Sequence, residues 1–176
     1  MSGFTSKKLR LMLITIMVLL FTGSAYASDN EVKFVSVSWT GVTIKTELGV
    51  EILNSLGYKA TNTMVSVPIV YKALSINDVD IFLGNWMPSM KTIAEKYFET
   101  GKVIKLVANM PNAKYTLAAP AYVVDGGLKT FADIAKFGEK LDYKIYGIEA
   151  GNDGNEIIQA MIDKDMYGLK KFELIS

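Results

Sequence analysis

The two tryptophans of the chain stand in short polar loops rather than in apolar runs. Trp39 lies in SWTG and Trp86 lies in GNWMPSM. A quaternary ammonium group has no N–H to donate, and its diffuse charge is best held against the negative faces of aromatic rings. Each ring contributes about 0.5 kcal/mol when exposed and ~2 kcal/mol when desolvated, so several rings are needed. The pair predicts an aromatic cage for a methylated cation.

Tyr115, in NAKYTLAAP, is the candidate for a third wall of this cage. A plainer interpretation exists for all three rings. Each indole could fill the core beneath its own loop, because aromatic side chains supply much buried area, and Tyr115 could be an ordinary hinge residue between apolar and wet surroundings. The two interpretations differ in whether the rings share one opening.

The composition excludes several kinds of function. The chain has no histidine and no cysteine, which removes the commonest proton shuttle and metal ligand, the thiol nucleophile and every disulfide. Half of the residues are apolar and 21% are charged, the balance of a chain that packs a core. With a net charge of +1 and no basic run beyond the first ten residues, nucleic acid is not expected as a partner. No cofactor and no metal are predicted.

An acidic cluster surrounds the glycine-rich turn GIEAGNDGN. It contains Glu149, Asp153 and Glu156, which could form a carboxylate pair or a cation site. Acidic residues near a helix start more often complement the helix dipole. The stretch fails the calcium-loop pattern because Ile157 stands where an oxygen ligand is required. We therefore predict neither an enzyme nor a metal site here.

Residues 1–27 have the three regions of a secretory signal peptide. Lys7, Lys8 and Arg10 precede the apolar stretch 11–21, and small residues precede a cleavage site predicted after Ala27. The apolar stretch is shorter than the roughly 20 residues of a membrane-spanning helix, which disfavours an anchor. Cleavage changes the net charge from +1 to −2, since three cations and no carboxylates are lost. No cysteine follows to carry a lipid, so we expect a freely moving periplasmic protein.

Strand and helix patterns alternate after the signal peptide. The strands are predicted over 32–38, 61–67, 79–83, 144–148 and 172–175. The first helix places four apolar residues at intervals of four along one face and stops at Gly57; these residues are Ile44, Leu48, Ile52 and Leu56. Pro68 opens a second helix to about residue 77, and a third helix presents Met90, Ile93, Ala94 and Tyr97 along one side.

The residue pattern loses its helical period after Asn109, which predicts a crossover into a second unit. The stretch MPNAKYTLAAPAYVV runs extended through two prolines, and Thr130 with Asp133 indicates a capped helix to residue 141. The last helix begins at the glycine-rich turn and is predicted to end at Gly168. The alternation predicts an α/β fold with mainly parallel sheets covered by helices, whose ligands bind at the carboxyl ends of the strands. SWTG, GNWMPSM and GIEAGNDGN all lie at such ends.

Six segments together resemble one family. SVSWTG, SVPIVYKAL, DVDIFLGNWMPSM, NAKYTLAAP, LKTFADIAKF and KIYGIEAGNDGN, in this order, resemble the periplasmic choline-binding proteins of ABC transporters, within the glycine betaine/proline-betaine group. The resemblance implies a monomeric, two-lobed type II periplasmic binding protein that closes on choline and delivers it to a membrane permease. Residues 28–114 would form the N-terminal part of lobe 1, and residues 115–176 a partial lobe 2 after the hinge crossover.

The resemblance assigns ligand-binding roles to four residues. The aromatic box carries over to Trp39, Trp86 and Tyr115, and Asn152 matches the position that contacts the choline hydroxyl from the second lobe. Choline binders carry an acidic residue two places after the first tryptophan, where this chain has Gly41. The preference among choline, glycine betaine and related amines therefore stays open.

Members of this family are also considerably longer. We therefore expect a truncated form that binds choline weakly or not at all and exposes apolar surface and sheet edges that an intact protein would cover. A ligand-sensing domain of the same fold and a non-functional remnant are the alternative interpretations.

Overall fold

Residues 30–176 form two separate parallel sheets with helices packed on them, in a computed structural model that describes this part of the chain. The signal peptide and the cleavage site predicted within residues 1–27 lie outside the described residues. Between residues 30 and 176, no helix is long and apolar enough to cross a membrane.

The first sheet has the strand order β2-β1-β3. Its strands are β1 (Glu31–Ser36), β2 (Lys59–Met64) and β3 (Ile81–Phe82). Strand β1 pairs in parallel with β2 from Glu31↔Lys59 to Ser36↔Met64, and with β3 at Phe34↔Ile81. The crossovers are the helices α1 (Thr40–Ser55) and α2 (Val67–Ser75). The strand predicted over 79–83 forms only two paired residues.

The main core lies between this sheet and helices α1, α2 and α3 (Lys91–Glu99). Pro68 stands in the first turn of α2 as predicted. Met90 and Ala94 are fully buried, and Ile93 and Tyr97 pack against the same cluster. The face predicted for the third helix is therefore confirmed.

Helix α1 is present, but the apolar face predicted for it points outward. Leu48 is 59% exposed and Leu56 is 68% exposed, and Ile44 and Ile52 are exposed as well. The helix packs instead through Val42, Thr46 and Val50. Both sets recur at intervals of four, so the period alone did not distinguish them. The outward set leaves an apolar stripe on the surface.

The second sheet is the parallel pair β4 (Lys144–Tyr146) and β5 (Glu173–Ile175). Helices α4 (Ala121–Asp125), α5 (Phe131–Ile134) and α6 (Asp153–Asp163) accompany it, together with three 3₁₀ turns. The turns are Ala135–Phe137, Glu139–Leu141 and Met166–Lys171. A second core gathers around this sheet; it comprises Ile134, Ile145, Ile158, Ile162, Leu169 and Phe172.

Three predicted boundaries in this unit are wrong. Ala121–Asp125 is helical where an extended chain was predicted. The capped helix after Thr130 gives way to 3₁₀ turns after Ile134. Helix α6 ends at Asp163 rather than at Gly168, because Asp165 takes a left-handed φ of 51° that α-helix cannot continue through. The lobe boundary at residue 115 stays a prediction.

Candidate ligand-binding site

Short backbone hydrogen bonds stabilise the two loops that carry the tryptophans. Trp39 caps helix α1, and its carbonyl accepts hydrogen bonds from the amides of Val42 and Thr43, both at 2.9 Å. The carbonyl of Trp86 accepts the amide of Met90 at 2.9 Å. Both loops follow strands of the first sheet, so the two indoles emerge at the same edge of it.

Both indoles open on one cavity of about 230 Å³. Its lining is mostly aromatic and aliphatic; it consists of Trp39, Gly41, Val42, Lys45, Trp86, Met110, Tyr115, Ile148 and Asp153. Drug-sized ligands occupy roughly 300–1,000 Å³, so this cavity suits a smaller molecule. The indoles also pack against the main core. Each indole therefore contacts both the core and the cavity.

Tyr115 contributes the third ring that sequence reasoning placed at the site. Its ring centroid lies 5.8 Å from that of Trp86, with 43° between the planes. Its hydroxyl donates to Oδ1 of Asn152 at 3.2 Å. The ring lies close over Gly154, where an added Cβ would collide with the tyrosine hydroxyl. Burial raises the pKa of Tyr115, and the nearby charges of Asp153 and Glu149 raise it further.

Asn152 lies behind the ring of Tyr115. It is fully buried and caps helix α6, accepting the amide of Gly154 at 2.8 Å. Its Nδ2 donates to Oε1 of Glu149 at 3.1 Å. Among the described residues, the side chains that line the cavity do not include Asn152. The structure thus places it one layer behind Tyr115.

Glu149 is a residue of this site that sequence reasoning missed. Its Oε1 accepts the indole Nε1–H of Trp39 at 2.7 Å, in addition to the amide of Asn152. The acidic cluster was interpreted as complementing a helix dipole. The signal for Glu149 was its place in a loop at the carboxyl end of a strand.

Asp153 is the second missed residue, and it lines the cavity directly. It is 3% exposed, and its Oδ2 accepts no hydrogen bond from the residues that the structure describes. Lys45 also lines the cavity; its Nζ donates to Oδ1 of Asn109 at 2.7 Å, and burial lowers its pKa. Aromatic faces and a carboxylate are complementary to a cation that has no N–H to donate.

The fold and the site define a solute-binding protein of the periplasmic-binding-protein type. Residues 30–176 match the family model described as the substrate-binding domain of ABC-type glycine betaine transport systems, OpuAC. The chain belongs to this family. The family comprises substrate-binding proteins of transporters rather than enzymes.

Two solved structures are similar to this chain along most of its length. An ABC-transporter choline-binding protein in complex with choline is 43% identical, with a TM-score of 0.80 over 86% of this chain and 52% of that chain. An unliganded, semi-closed structure of a choline-binding protein is 44% identical, with a TM-score of 0.74 over 83% and 51%. This chain spans about half the length of these proteins. The ProX protein of Borrelia burgdorferi, at 24% identity and a TM-score of 0.64, shares the fold.

Of two curated relatives, one is similar in length to this chain and the other is longer. The protein ORF1 of Chromohalobacter salexigens is 50% identical over 135 residues, covering 76% of this chain and 87% of that protein. The glycine betaine/carnitine transport binding protein GbuC of Listeria monocytogenes is 27% identical over 103 residues, covering 58% and 34%.

Proposed function

We propose that this chain supplies the quaternary-ammonium site of an extracytoplasmic substrate-binding component of an ABC transporter, with choline as the preferred ligand. The observation that carries the proposal is the single cavity shared by Trp39, Trp86 and Tyr115. The 43% identity to a choline-bound transport protein supports the choice of ligand.

In this proposal the ammonium group lies against the three rings. Each desolvated ring contact contributes up to about 2 kcal/mol. Both amide atoms of Asn152 bond to protein groups, so its first role is to hold Tyr115 and Glu149. A direct contact between Asn152 and the ligand hydroxyl stays a prediction.

Capture would proceed by closure of two lobes, residues 28–114 and 115–176. A closed form that adds contacts from the second lobe binds the ligand better than the open form, and the ligand shifts the population accordingly. The loaded protein, a periplasmic monomer after removal of residues 1–27, would pass choline to a permease in the inner membrane.

Glycine betaine is the second candidate ligand. Lys45 lines the same cavity, and its ammonium could pair with the carboxylate of a zwitterion. Asp153 opposes this choice, because its carboxylate would lie in the same small cavity as that of the ligand. The ammonium group of choline could pair with the carboxylate of Asp153, and Lys45 would keep its hydrogen bond to Asn109.

The test is a titration of the purified protein with choline, followed by tryptophan fluorescence and ligand-observed NMR. Glycine betaine is titrated in parallel. The control ligand is the neutral isostere of choline, with a tert-butyl group in place of the trimethylammonium group. We expect saturable choline binding with a Kd of about 1 mM, and weaker binding of the isostere. Absence of saturable binding by any quaternary amine would contradict the proposal.

A further inference from the structure

The indole N–H of Trp86 has no hydrogen bond that would hold the ring in the site. Its Nε1–H has no partner among residues 30–176, whereas the indole of Trp39 donates to Glu149. The ring of Trp86 nevertheless lines the cavity and packs on the main core. The position of this ring therefore depends on its packing and on the backbone of the loop that carries it.

Met90 holds both backbone groups of Trp86. The amide of Met90 donates to the carbonyl of Trp86 at 2.9 Å. In return, Sδ of Met90 accepts the amide of Trp86 at 3.2 Å. A thioether sulfur is a weak acceptor, so this second bond depends on the sulfur being held in place. Met90 is fully buried at the start of α3, which restricts its side chain.

The hydroxyl of Tyr71 contacts the residues on both sides of this arrangement. It donates to Oδ1 of Asn85, the residue before Trp86, at 2.9 Å. It also lies 3.8 Å from Sδ of Met90. Tyr71 belongs to α2 and is 1% exposed. One buried oxygen atom of a neighbouring helix therefore contacts the residue before the indole and the sulfur that accepts the amide of Trp86.

Packing alone does not require a hydroxyl at residue 71. The ring of Tyr71 lies between 5.9 and 6.3 Å from the rings of Phe82, Tyr97 and Phe98, and a phenylalanine could make the same ring contacts. Burial raises the pKa of Tyr71, and the charge of Asp153 raises it further, so the hydroxyl keeps its proton near neutral pH. A buried hydroxyl is costly unless it is hydrogen-bonded, and here the partner is in the tryptophan loop.

We propose that the hydroxyl of Tyr71 is a positioning group for Trp86, which holds Asn85 and Met90 and thereby sets the orientation of the indole at the cavity. This inference rests on the proposed function. Among the described residues, the cavity lining does not include Tyr71, so Tyr71 acts through Trp86 and not by contact with the ligand. A cation must lie over the ring face within about 6 Å of its centroid, and a rotated indole would lose this contact.

The first test compares Tyr71→Phe with Tyr97→Phe. Both changes remove one hydroxyl from the same stacked pair of rings, but the hydroxyl of Tyr97 makes no hydrogen bond to a described residue. Choline is titrated into each variant and into the unchanged protein. We expect Tyr71→Phe to weaken choline binding about fivefold, the effect of one neutral hydrogen bond. Tyr97→Phe should leave the affinity unchanged, and urea unfolding checks that both variants are folded.

The second test needs no ligand. The chain has two tryptophans, so in a Trp39→Phe background all tryptophan emission comes from Trp86. In this background Tyr71→Phe should move the emission to longer wavelength and increase its quenching by acrylamide, because the loop is held less firmly. Tyr97→Phe should change neither quantity.

The two measurements separate this inference from the proposed function. If the unchanged protein binds no quaternary amine, the proposed function fails, and the emission of Trp86 still decides whether Tyr71 positions the ring. Unchanged emission and quenching in Tyr71→Phe would overturn the positioning role, as would equal changes in the Tyr97→Phe control. A shifted emission with unchanged choline affinity would overturn the claim that binding requires this orientation of the ring.

Discussion

The indole Nε1–H of Trp39 donates a 2.7 Å hydrogen bond to the carboxylate of Glu149, which lies 110 residues further along the chain. The bond joins the loop after β1 to the loop after β4. It holds the edge of the indole in place beside the cavity that both loops border. Glu149 is a positioning residue in this arrangement.

Glu149→Leu should therefore weaken choline binding by about tenfold, because a hydrogen bond to a charged group contributes roughly 1.5–3 kcal/mol. Glu149→Gln keeps a carbonyl oxygen for the indole and should retain most of the affinity. Tryptophan fluorescence reports the change separately, since a released Trp39 would emit at longer wavelength. Equal affinities for the Leu and Gln variants would show that the bond does not position the ring.

Replacement of Trp86 tests the aromatic contact itself. Trp86→Ala should weaken choline binding at least tenfold if a desolvated ring contact of ~2 kcal/mol is lost. Trp86→Phe keeps a smaller ring face and should lose less. Isothermal titration or ligand-observed NMR gives both values, and an unchanged affinity in the Ala variant would count against the cage.

Substitution of Gly154 tests whether the position of the Tyr115 ring matters for binding. A Cβ at residue 154 would collide with the Tyr115 hydroxyl, so Gly154→Ala should displace the ring and weaken choline binding severalfold. In a Tyr115→Ala background the same change should have little further effect, because the colliding group is gone. The double-mutant cycle measures this coupling. Additive losses would mean that Gly154 acts on the site by another route.

Gly41 offers space for an additional charge. Nothing lies within 4 Å of a Cβ built at this position, which lines the cavity and falls in the first turn of α1. Gly41→Asp should strengthen choline binding about fivefold relative to Gly41→Asn, because a second carboxylate faces the ammonium. Glycine betaine should lose affinity in the Asp variant. A parallel gain for both ligands would contradict an electrostatic cause.

The packing of α1 predicts opposite results for two apolar residues on one helix. Val50 is 8% exposed and Leu48 is 59% exposed. Val50→Ala should lower the free energy of unfolding by about 1.5–2 kcal/mol, since it removes buried methyl groups. Leu48→Ala removes more atoms but should cost less than about 0.5 kcal/mol. Urea unfolding of both variants checks the orientation of the helix. A larger loss of unfolding free energy in Leu48→Ala than in Val50→Ala would contradict this orientation.

Local patterns were enough to predict most elements of the first unit. The strand β1, Pro68 at the start of α2 and the buried side of α3 all depend on neighbours in sequence, and the structure confirms them. The half-buried pattern of β1 is not confirmed, because Phe34, Val35 and Ser36 are buried in succession. The second unit was less predictable. Its short strands and 3₁₀ turns depend on residues in left-handed conformations, such as Asp142 and Asp165, which have no periodic signature.

The sequence by itself determined the residue types of the site and their positions in loops after strands, because parallel strands present their carboxyl ends at one edge. Only the tertiary structure decided which charges meet those rings. Glu149 reaches Trp39 across 110 residues, and Asp153 is buried beside the cavity although its neighbour Glu156 is exposed. The side of α1 that meets the sheet was decided in the same way. Such contacts depend on how whole elements pack, and no spacing within one element records them.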